Sequence, residues 1–149
     1  MALLLTLDAS VFVAACQPHE TGYVASLALL EALLDVDVPL VEPAILPVEV
    51  GAALCRAGRD AAFAREFAET IFSLPRLTLQ PVDERLARRA VALATQCRLR
   101  GADSLYVTVA AQYGALLVTL DAEQLERAPA FLGACKPDAA VSLVRTAMR

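Results

Sequence analysis

The chain has 149 residues, of which 58% are apolar and 20% charged, and its formal net charge is −4. This composition excludes an intrinsically disordered protein and suits a single folded domain, 1–149. It also argues against a basic surface that coats nucleic acid without specificity. It does not exclude an enzyme that acts on nucleic acid, because acidic residues can recruit cations that reverse the local charge.

Short apolar runs in the first half of the chain predict strands, and segments rich in Ala and Leu predict helices. A helix that starts between Pro43 and Pro47, and is opened by Pro43, is expected to stop at Gly58. In chain order the first half predicts a strand at 3–7, helices at 11–16 and 21–35, a strand at 39–43, and helices at 43–57 and 60–73.

The second half continues the alternation of strands and helices. Gly101 is predicted to break one helix and Gly114 to close the next. The predicted elements are a strand at 77–79, helices at 83–98 and 103–113, a strand at 115–119, a short helix at 123–127, a strand at 131–135 and a helix at 138–148. Such alternation predicts a parallel sheet covered by helices on both faces, with a ligand site at the carboxyl ends of its strands.

Segment composition also bears on the compartment. The most apolar stretch, 24–54, is interrupted by five acidic residues, which argues against a membrane span. The amino terminus has no basic segment, and Asp8 interrupts its apolar run, so we expect a cytoplasmic protein with buried, reduced thiols. A structural zinc site is not expected, because the chain has no C-x-x-C pair and one histidine, His19, which we place on the surface.

Four acidic residues occupy informative positions. Asp8 and Asp121 each follow a predicted strand, and Asp103 lies in the first turn of a predicted helix. Glu49 is flanked by apolar residues, where a carboxylate is costly without a partner. Carboxylates that converge on one edge of a sheet repel one another unless a divalent cation holds them, and carboxylate and water ligands select Mg²⁺ or Mn²⁺ over zinc.

Each of these acids also has a purely structural interpretation. Asp8 can cap the helix that contains Ser10, and Asp103 can interact with a helix dipole. The segment from Asp121 to Gln124 resembles a capping box. Glu49 can pair with Arg56 or face water. The sequence leaves these alternatives open.

Four segments together resemble the signatures of the PIN-domain ribonucleases, and most closely those of the VapC-like toxins of type II toxin–antitoxin modules. The segments span most of the chain in the order that the family shows. They are LDASVF at 7–12, PVEVGAAL at 47–54, RGADSLYV at 100–107 and LVTLDAEQL at 117–125.

The resemblance implies a three-layer α/β/α fold with a parallel sheet of about five strands, often as a homodimer. It implies a metal-dependent endoribonuclease with one or two Mg²⁺ or Mn²⁺ ions and a small antitoxin as partner. The residues it assigns are catalytic metal ligands at Asp8, Glu49, Asp103 and Asp121, an extra ligand at Glu123, and supporting residues at Ser10 and Thr119.

Two further expectations concern RNA and the partner. Arginines near predicted helix ends are candidates for RNA contacts, although a solvated charged face explains them equally well: Arg56, Arg59, Arg98 and Arg100. The apolar 24–54 region predicts a groove for an antitoxin helix, with Ala- and Leu-rich genome composition as the alternative explanation.

Other functions remain to be weighed. A non-catalytic scaffold or protein-binding module on the same fold is the main alternative. A dehalogenase-like phosphotransfer enzyme would need a second Asp at position 10, which is Ser10, and a receiver domain would need a lysine near the last strand, whereas Lys136 is the only lysine and lies beyond it. No G-x-x-x-x-G-K-[ST] loop is present for nucleotide binding.

Overall fold

The computed structural model describes residues 2–147. The strands are β1 (Leu5–Leu7), β2 (Leu40–Pro43), β3 (Leu77–Gln80), β4 (Leu116–Val118) and β5 (Ala134–Cys135). The helices are α1 (Ala9–Ala14), α2 (Tyr23–Asp35), α3 (Leu46–Arg56), α4 (Ala61–Ile71), α5 (Glu84–Cys97), α6 (Gly101–Tyr113), α7 (Ala122–Arg127) and α8 (Pro137–Ala147).

The five strands form one parallel sheet in the order β3-β2-β1-β4-β5. The central strand β1 is buried along its whole length, as expected for a parallel strand covered on both faces. Helix α6 packs on β1, β2 and β4 and against α5, while α1 to α4 and α8 pack among themselves. The predicted three-layer α/β/α arrangement is confirmed.

Aspartates start four of the helices. The side chains of Asp8, Asp60, Asp83 and Asp121 each accept a hydrogen bond from a backbone N–H in the first turn of α1, α4, α5 and α7. Such caps satisfy N–H groups that have no partner within the helix. Two of these aspartates, Asp8 and Asp121, also follow β1 and β4, so the caps bring two carboxyl groups to the same edge of the sheet.

Several predicted boundaries differ from the observed ones. Pro43 is the last residue of β2 and does not open a helix; α3 begins at Leu46, so Glu49 lies in its first turn. Helix α5 ends because Arg98 adopts a left-handed conformation at φ 57°, and Gly101 starts α6 where a break was predicted. Gly58 and Gly114 do end their helices with positive φ angles. The predicted end of the last helix at Met148 lies outside the described residues.

The four cysteine thiols are buried to different extents. All four cysteines have free thiols, but only Cys16 is buried and Cys55 is exposed, so the expectation of buried thiols was wrong in part. Among residues 2–147, none of the helices combines the length and the apolarity that crossing a membrane requires.

Candidate active site

Asp8 is held rigidly where β1 ends. Only 5% of its surface is exposed. Its Oδ2 accepts hydrogen bonds from the backbone N–H of Ser10 at 3.2 Å and from the hydroxyl of Thr119 at 3.1 Å. Burial raises the pKa of Asp8, and the carboxyl of Asp121 raises it further, whereas the hydrogen bonds lower it. The structural alternative for Asp8, a helix cap, is therefore real and leaves Oδ1 for other contacts.

Thr119 and Ser10 join the ends of β1 and β4. The Thr119 hydroxyl donates to Asp8 and accepts from the backbone N–H of Asp121 at 3.0 Å. The Ser10 hydroxyl accepts from the N–H of Leu120 at 3.1 Å and lies 3.4 Å from the Thr119 hydroxyl. These two side chains thus connect Asp8 to the loop that carries Asp121. Their supporting role in a metal site stays a prediction.

Asp121 starts α7. Its Oδ1 accepts from the N–H groups of Glu123 at 2.9 Å and Gln124 at 3.3 Å. The capping function read from the sequence is therefore present. It is compatible with a second function, because Asp121 also acts electrostatically on Asp8 and Asp103.

The pKa of Asp103 is influenced by all three of the other acids. Its pKa is raised from 3.8 to about 6, first by burial, then by repulsion from Asp8 and Asp121 and to a smaller extent from Glu49, while Arg100 lowers it. The carboxyl groups of Asp8, Asp121 and Glu49 therefore all lie within electrostatic range of Asp103. The fold brings together residues from β1, α3, α6 and the end of β4.

Glu49 is fixed by a tyrosine that the sequence reasoning missed. The hydroxyl of Tyr106, whose surface is completely buried, donates a hydrogen bond of 2.7 Å to Glu49 Oε1. Burial and the adjacent Glu49 carboxylate raise the pKa of Tyr106, so the phenol stays a neutral donor. The alternative pairing of Glu49 with Arg56 is not among the ion pairs of residues 2–147. A usable signal was spacing, because Tyr106 lies three residues after Asp103 on one helix face.

The donor chemistry of this cluster fits a divalent cation. Hard, oxygen-seeking ions such as Mg²⁺ and Mn²⁺ bind clusters of carboxyl groups, and two of the four groups here, those of Asp8 and Asp103, have raised pKa values. The side chains do not yet converge: within the described range, no group of three or more His, Cys, Asp or Glu side chains is arranged to hold an ion. Carboxylates that no cation neutralises repel one another, and their side-chain rotamers separate easily.

Glu123, the expected extra ligand, is engaged elsewhere. Its carboxylate pairs with Arg127 one turn along α7 and lies 3.7 Å from Arg100. A carboxylate held by two guanidinium groups is less available to a metal ion. Its role as a ligand stays a prediction.

The four candidate RNA-binding arginines have different environments. Arg59 donates to the carbonyl of Cys16, and its guanidinium lies 4.0 Å from the ring centre of Phe63. Arg98 accepts a hydrogen bond through its carbonyl from Arg127, and Arg100 lies near Glu123. Arg56 is exposed at the end of α3. The structure thus places Arg59 and Arg100 in contacts of their own, and RNA binding by all four stays a prediction.

Two charged residues at the same edge of the sheet were not predicted from the sequence to belong to the site. Glu42 is completely buried on β2, and Lys136 directly follows β5, whose last residue Cys135 accepts from the N–H of Thr119 at 3.0 Å. Burial raises the pKa of Glu42 well above its usual range. The available signals were a carboxyl inside an apolar strand and a lysine at the end of a strand.

A parallel α/β protein with a cluster of carboxyl groups at the carboxyl edge of its sheet is thus defined by fold and site. The chain belongs to the PIN-domain family, whose model matches residues 5–130. The resemblance carried by the four motifs is confirmed. No curated protein matches the chain significantly in sequence.

Solved structures share this fold. A protein of Pyrobaculum aerophilum is 23% identical over 98% of this chain and 99% of its own, with a TM-score of 0.69. VapC20 of Mycobacterium tuberculosis, described as a sarcin–ricin loop cleaving toxin, is 13% identical over 82% of this chain and 93% of its own, with a TM-score of 0.68. A chain of VapBC2 from Rickettsia felis, solved with a promoter DNA fragment, is 18% identical over 90% and 98%, with a TM-score of 0.64. At these identities the likeness concerns the fold.

Proposed function

We propose that this protein is an endoribonuclease that hydrolyses RNA phosphodiester bonds with one or two Mg²⁺ or Mn²⁺ ions. We further propose that it is the cytoplasmic toxin of a toxin–antitoxin pair. The observation that supports the activity best is the mutual repulsion at Asp103, where burial and three neighbouring carboxyl groups raise the pKa to about 6. Such a cluster is destabilising by itself and becomes favourable when a divalent cation neutralises it.

The proposed site residues have two roles, binding the metal and orienting the residues that bind it. Asp8, Glu49, Asp103 and Asp121 would hold the metal, which when bound activates water and neutralises charge on the phosphate. Thr119 and the N–H of Ser10 orient Asp8 through Oδ2. Tyr106 orients Glu49 through a single oxygen. No side-chain nucleophile is needed for this chemistry.

His19 is not a candidate for acid–base catalysis. Its side chain is 76% exposed and lies beside Glu20, away from the buried acids. It is the only histidine in the chain. Its surface position agrees with the expectation from sequence.

The toxin assignment is supported by the similar structures. Several of them are toxin–antitoxin complexes, including VapBC-1 of Haemophilus influenzae and a VapBC of Salmonella typhimurium bound to DNA. We propose a small antitoxin as partner on this basis. We also propose a homodimer, which light scattering on the purified chain tests directly.

An apolar cleft of about 240 Å³ between α1, α2 and α4 is the proposed binding site for the antitoxin. Leu34 is 62% exposed and extends the apolar lining of the cleft to the surface. An amphipathic antitoxin helix would cover such a cleft. The apolar side chains that line it are Phe12, Leu30, Leu34, Phe67, Ile71 and Leu74.

Cleavage of RNA with added Mn²⁺ tests the activity. The proteins to compare are the wild type, Asp8→Asn and Asp103→Asn, with Asp35→Asn as a matched control because Asp35 is an exposed carboxyl at the end of α2. We expect cleavage by the wild type and the control and none by the two site variants. Equal cleavage by all four proteins would contradict the proposal.

A non-catalytic scaffold is the second candidate. It is favoured by the observation that, over residues 2–147, no three acidic side chains converge on one point. Titration with Mn²⁺ separates the two functions. Binding that Asp103→Asn abolishes supports the nuclease, and the lack of any binding at millimolar Mn²⁺ supports the scaffold.

A further inference from the structure

One hydrogen bond is missing where β1 and β2 approach the active site. Strand β1 pairs with β4 at three successive positions but with β2 only at Leu5 and Leu40. The N–H of Leu5 donates to the carbonyl of Pro39 at 3.1 Å. In a regular parallel ladder the next N–H on that side, which belongs to Leu7, would donate to the carbonyl of Val41.

Side chains satisfy both backbone groups of the missing bond. The N–H of Leu7 donates to Oε1 of Glu42 at 2.5 Å. The carbonyl of Val41 accepts from the hydroxyl of Thr6 at 2.8 Å. A carboxyl group is therefore inserted between the two strands in place of a direct backbone contact.

The inserted carboxyl is fully enclosed. Glu42 has no exposed surface, and its Oε2 has no hydrogen-bond partner among the described residues. A buried polar atom without a partner costs free energy, typically about 1–3 kcal/mol. An apolar side chain at position 42 would avoid that cost, so packing alone does not explain a glutamate there.

The inserted carboxyl acts directly on the backbone that carries Asp8. Asp8 follows Leu7, and its own N–H donates to the carbonyl of Val118 at 2.9 Å. The end of β1 is thus held on one side by the backbone of β4 and on the other by the side chain of Glu42. Two side chains, those of Glu42 and Thr6, therefore connect β1 and β2 at this edge in place of a direct backbone bond.

We infer that Glu42 is a positioning residue of the active site: through the N–H of Leu7, it holds the end of β1 at the distance from β2 that places Asp8 in the acidic cluster. The inference rests on the proposed function for the role of Asp8. Glu42 itself does not bind the metal or touch the RNA.

Three substitutions at position 42 separate positioning from other roles. Glu42→Gln keeps a side-chain oxygen that can accept from Leu7. Glu42→Met keeps the length but provides no comparable acceptor, and Glu42→Asp keeps the carboxyl but withdraws it by one methylene. Thr6→Val is the matched control, because it removes the other side-chain bond between the same two strands, at a residue that is equally buried.

The measurements are kcat and KM on a short RNA, Mn²⁺ affinity by calorimetry, and hydrogen exchange of the Leu7 and Asp8 amides. A displaced catalytic group lowers the rate by about 100-fold per ångström, so we expect Glu42→Met to lose kcat on that scale with little change in KM. Glu42→Asp should lie between Glu42→Met and the wild type. Glu42→Gln should recover most of the loss, and Thr6→Val should keep kcat although its stability falls.

The outcomes that would overturn the inference are specific. Activity of Glu42→Gln as low as that of Glu42→Met would make the carboxylate itself necessary, as for a ligand. Equal kcat in Glu42→Met and Thr6→Val, or full activity in Glu42→Asp, would make Glu42 merely structural.

Hydrogen exchange distinguishes this inference from the proposed function. If the wild-type protein neither cleaves RNA nor binds Mn²⁺, the proposed function fails. The positioning of β1 is still tested, because protection of the Leu7 amide should fall in Glu42→Met and persist in Glu42→Gln and Thr6→Val. Should Glu42→Met fail to fold, Glu42→Asp provides the same comparison, and unchanged Leu7 protection in it would refute the inference.

Discussion

The hydroxyl of Tyr106 donates a hydrogen bond of 2.7 Å to Oε1 of Glu49, and it connects the second turn of α6 to the first turn of α3 across the candidate active site. The bond restrains Glu49, which is only partly buried and has several rotamers, whereas the ring of Tyr106 is completely buried in the core. The phenol occupies one carboxylate oxygen and leaves the other for a cation. One oxygen of the Glu49 carboxylate is therefore fixed by the fold, and the other stays open to a cation.

Tyr106→Phe should lower kcat/KM for RNA cleavage by roughly 10-fold while costing about 1 kcal/mol of stability, the typical contribution of one hydrogen bond. The ring still fills its place in the core, so the fold persists. Tyr113→Phe is the control, because Tyr113 is exposed at the end of α6. Activity of Tyr106→Phe equal to that of the control would show that Glu49 needs no orientation.

Removal of charge at Asp103 should stabilise the metal-free protein above pH 6. Its pKa is raised from 3.8 to about 6 in the folded state, so the folded state binds the proton more tightly than the unfolded one. The resulting stabilisation is complete below about pH 4 and is lost as the pH rises through 6.

Urea unfolding in the presence of a chelator measures this effect. We expect Asp103→Asn to exceed the wild type in stability by about 1 kcal/mol more at pH 7.5 than at pH 4.5, after allowance for solvent screening of this half-buried carboxyl. Asp35→Asn, which removes an exposed carboxyl, should show no such pH-dependent gain. A constant difference between Asp103→Asn and the wild type would argue against the repulsion described at the site.

Binding of Mn²⁺ should raise the thermal stability of the wild type and should weaken as the pH falls through about 6. The reason is that a protonated Asp103 must release its proton before it can bind a cation. Scanning calorimetry with and without Mn²⁺ at several pH values measures both effects. A stabilisation that persists unchanged in Asp8→Asn would place the ion elsewhere.

Lys136 should contribute to RNA affinity, because it follows β5 at the edge where Thr119 and Asp8 lie. Lys136→Gln in the Asp103→Asn background should reduce the slope of log affinity against log salt by about 1, the effect of one lost phosphate contact. Arg88→Gln is the control, since Arg88 pairs with Glu84 on the exposed face of α5. An identical salt dependence for both variants would exclude Lys136 from the RNA path.

Leu34→Glu should abolish binding of the antitoxin without affecting RNA cleavage. Its side chain lies at the rim of the apolar cleft, 62% exposed, so a charge there is tolerated by the fold but not by an apolar partner helix. Co-purification with the proposed antitoxin measures binding, and Leu143→Glu on α8 is the control. A complex that survives Leu34→Glu would place the partner on another surface.

Many of the elements could be predicted because their determinants are local. Leu5 to Leu7 form a strand because a short apolar run fits the centre of a parallel sheet, and Gly114 ends α6 because it tolerates a positive φ. The predicted boundaries were wrong where a residue could adopt either of two backbone structures. Helix α5 ends at Arg98, which adopts a left-handed conformation, and not at Gly101 as predicted. Pro43 completes a strand, although a helix start was also sterically allowed there.

The four acidic residues were recognisable from the sequence because strand ends and helix starts in a parallel α/β chain have known positions, and because the motifs occur in the order of the PIN-domain family. Ser10 and Thr119 were also named from the resemblance, whereas two further residues that contact this site were not. Tyr106 and Glu42 act through partners that lie 57 and 35 residues away in the chain, and no local pattern identifies such partners.

By itself, the sequence identified the family through four motifs in the family's order. It also determined the order of strands and helices and the positions of Asp8 and Asp121 after strands, because these depend on periodicity and local capping. Only the tertiary structure decided how those groups are held: Asp8 between Thr119 and the strand end beside Glu42, and Glu49 against Tyr106. It also decided that Arg100 lies 3.7 Å from Glu123. The physical reason is that burial and electrostatic coupling depend on distances in space that residue spacing does not specify.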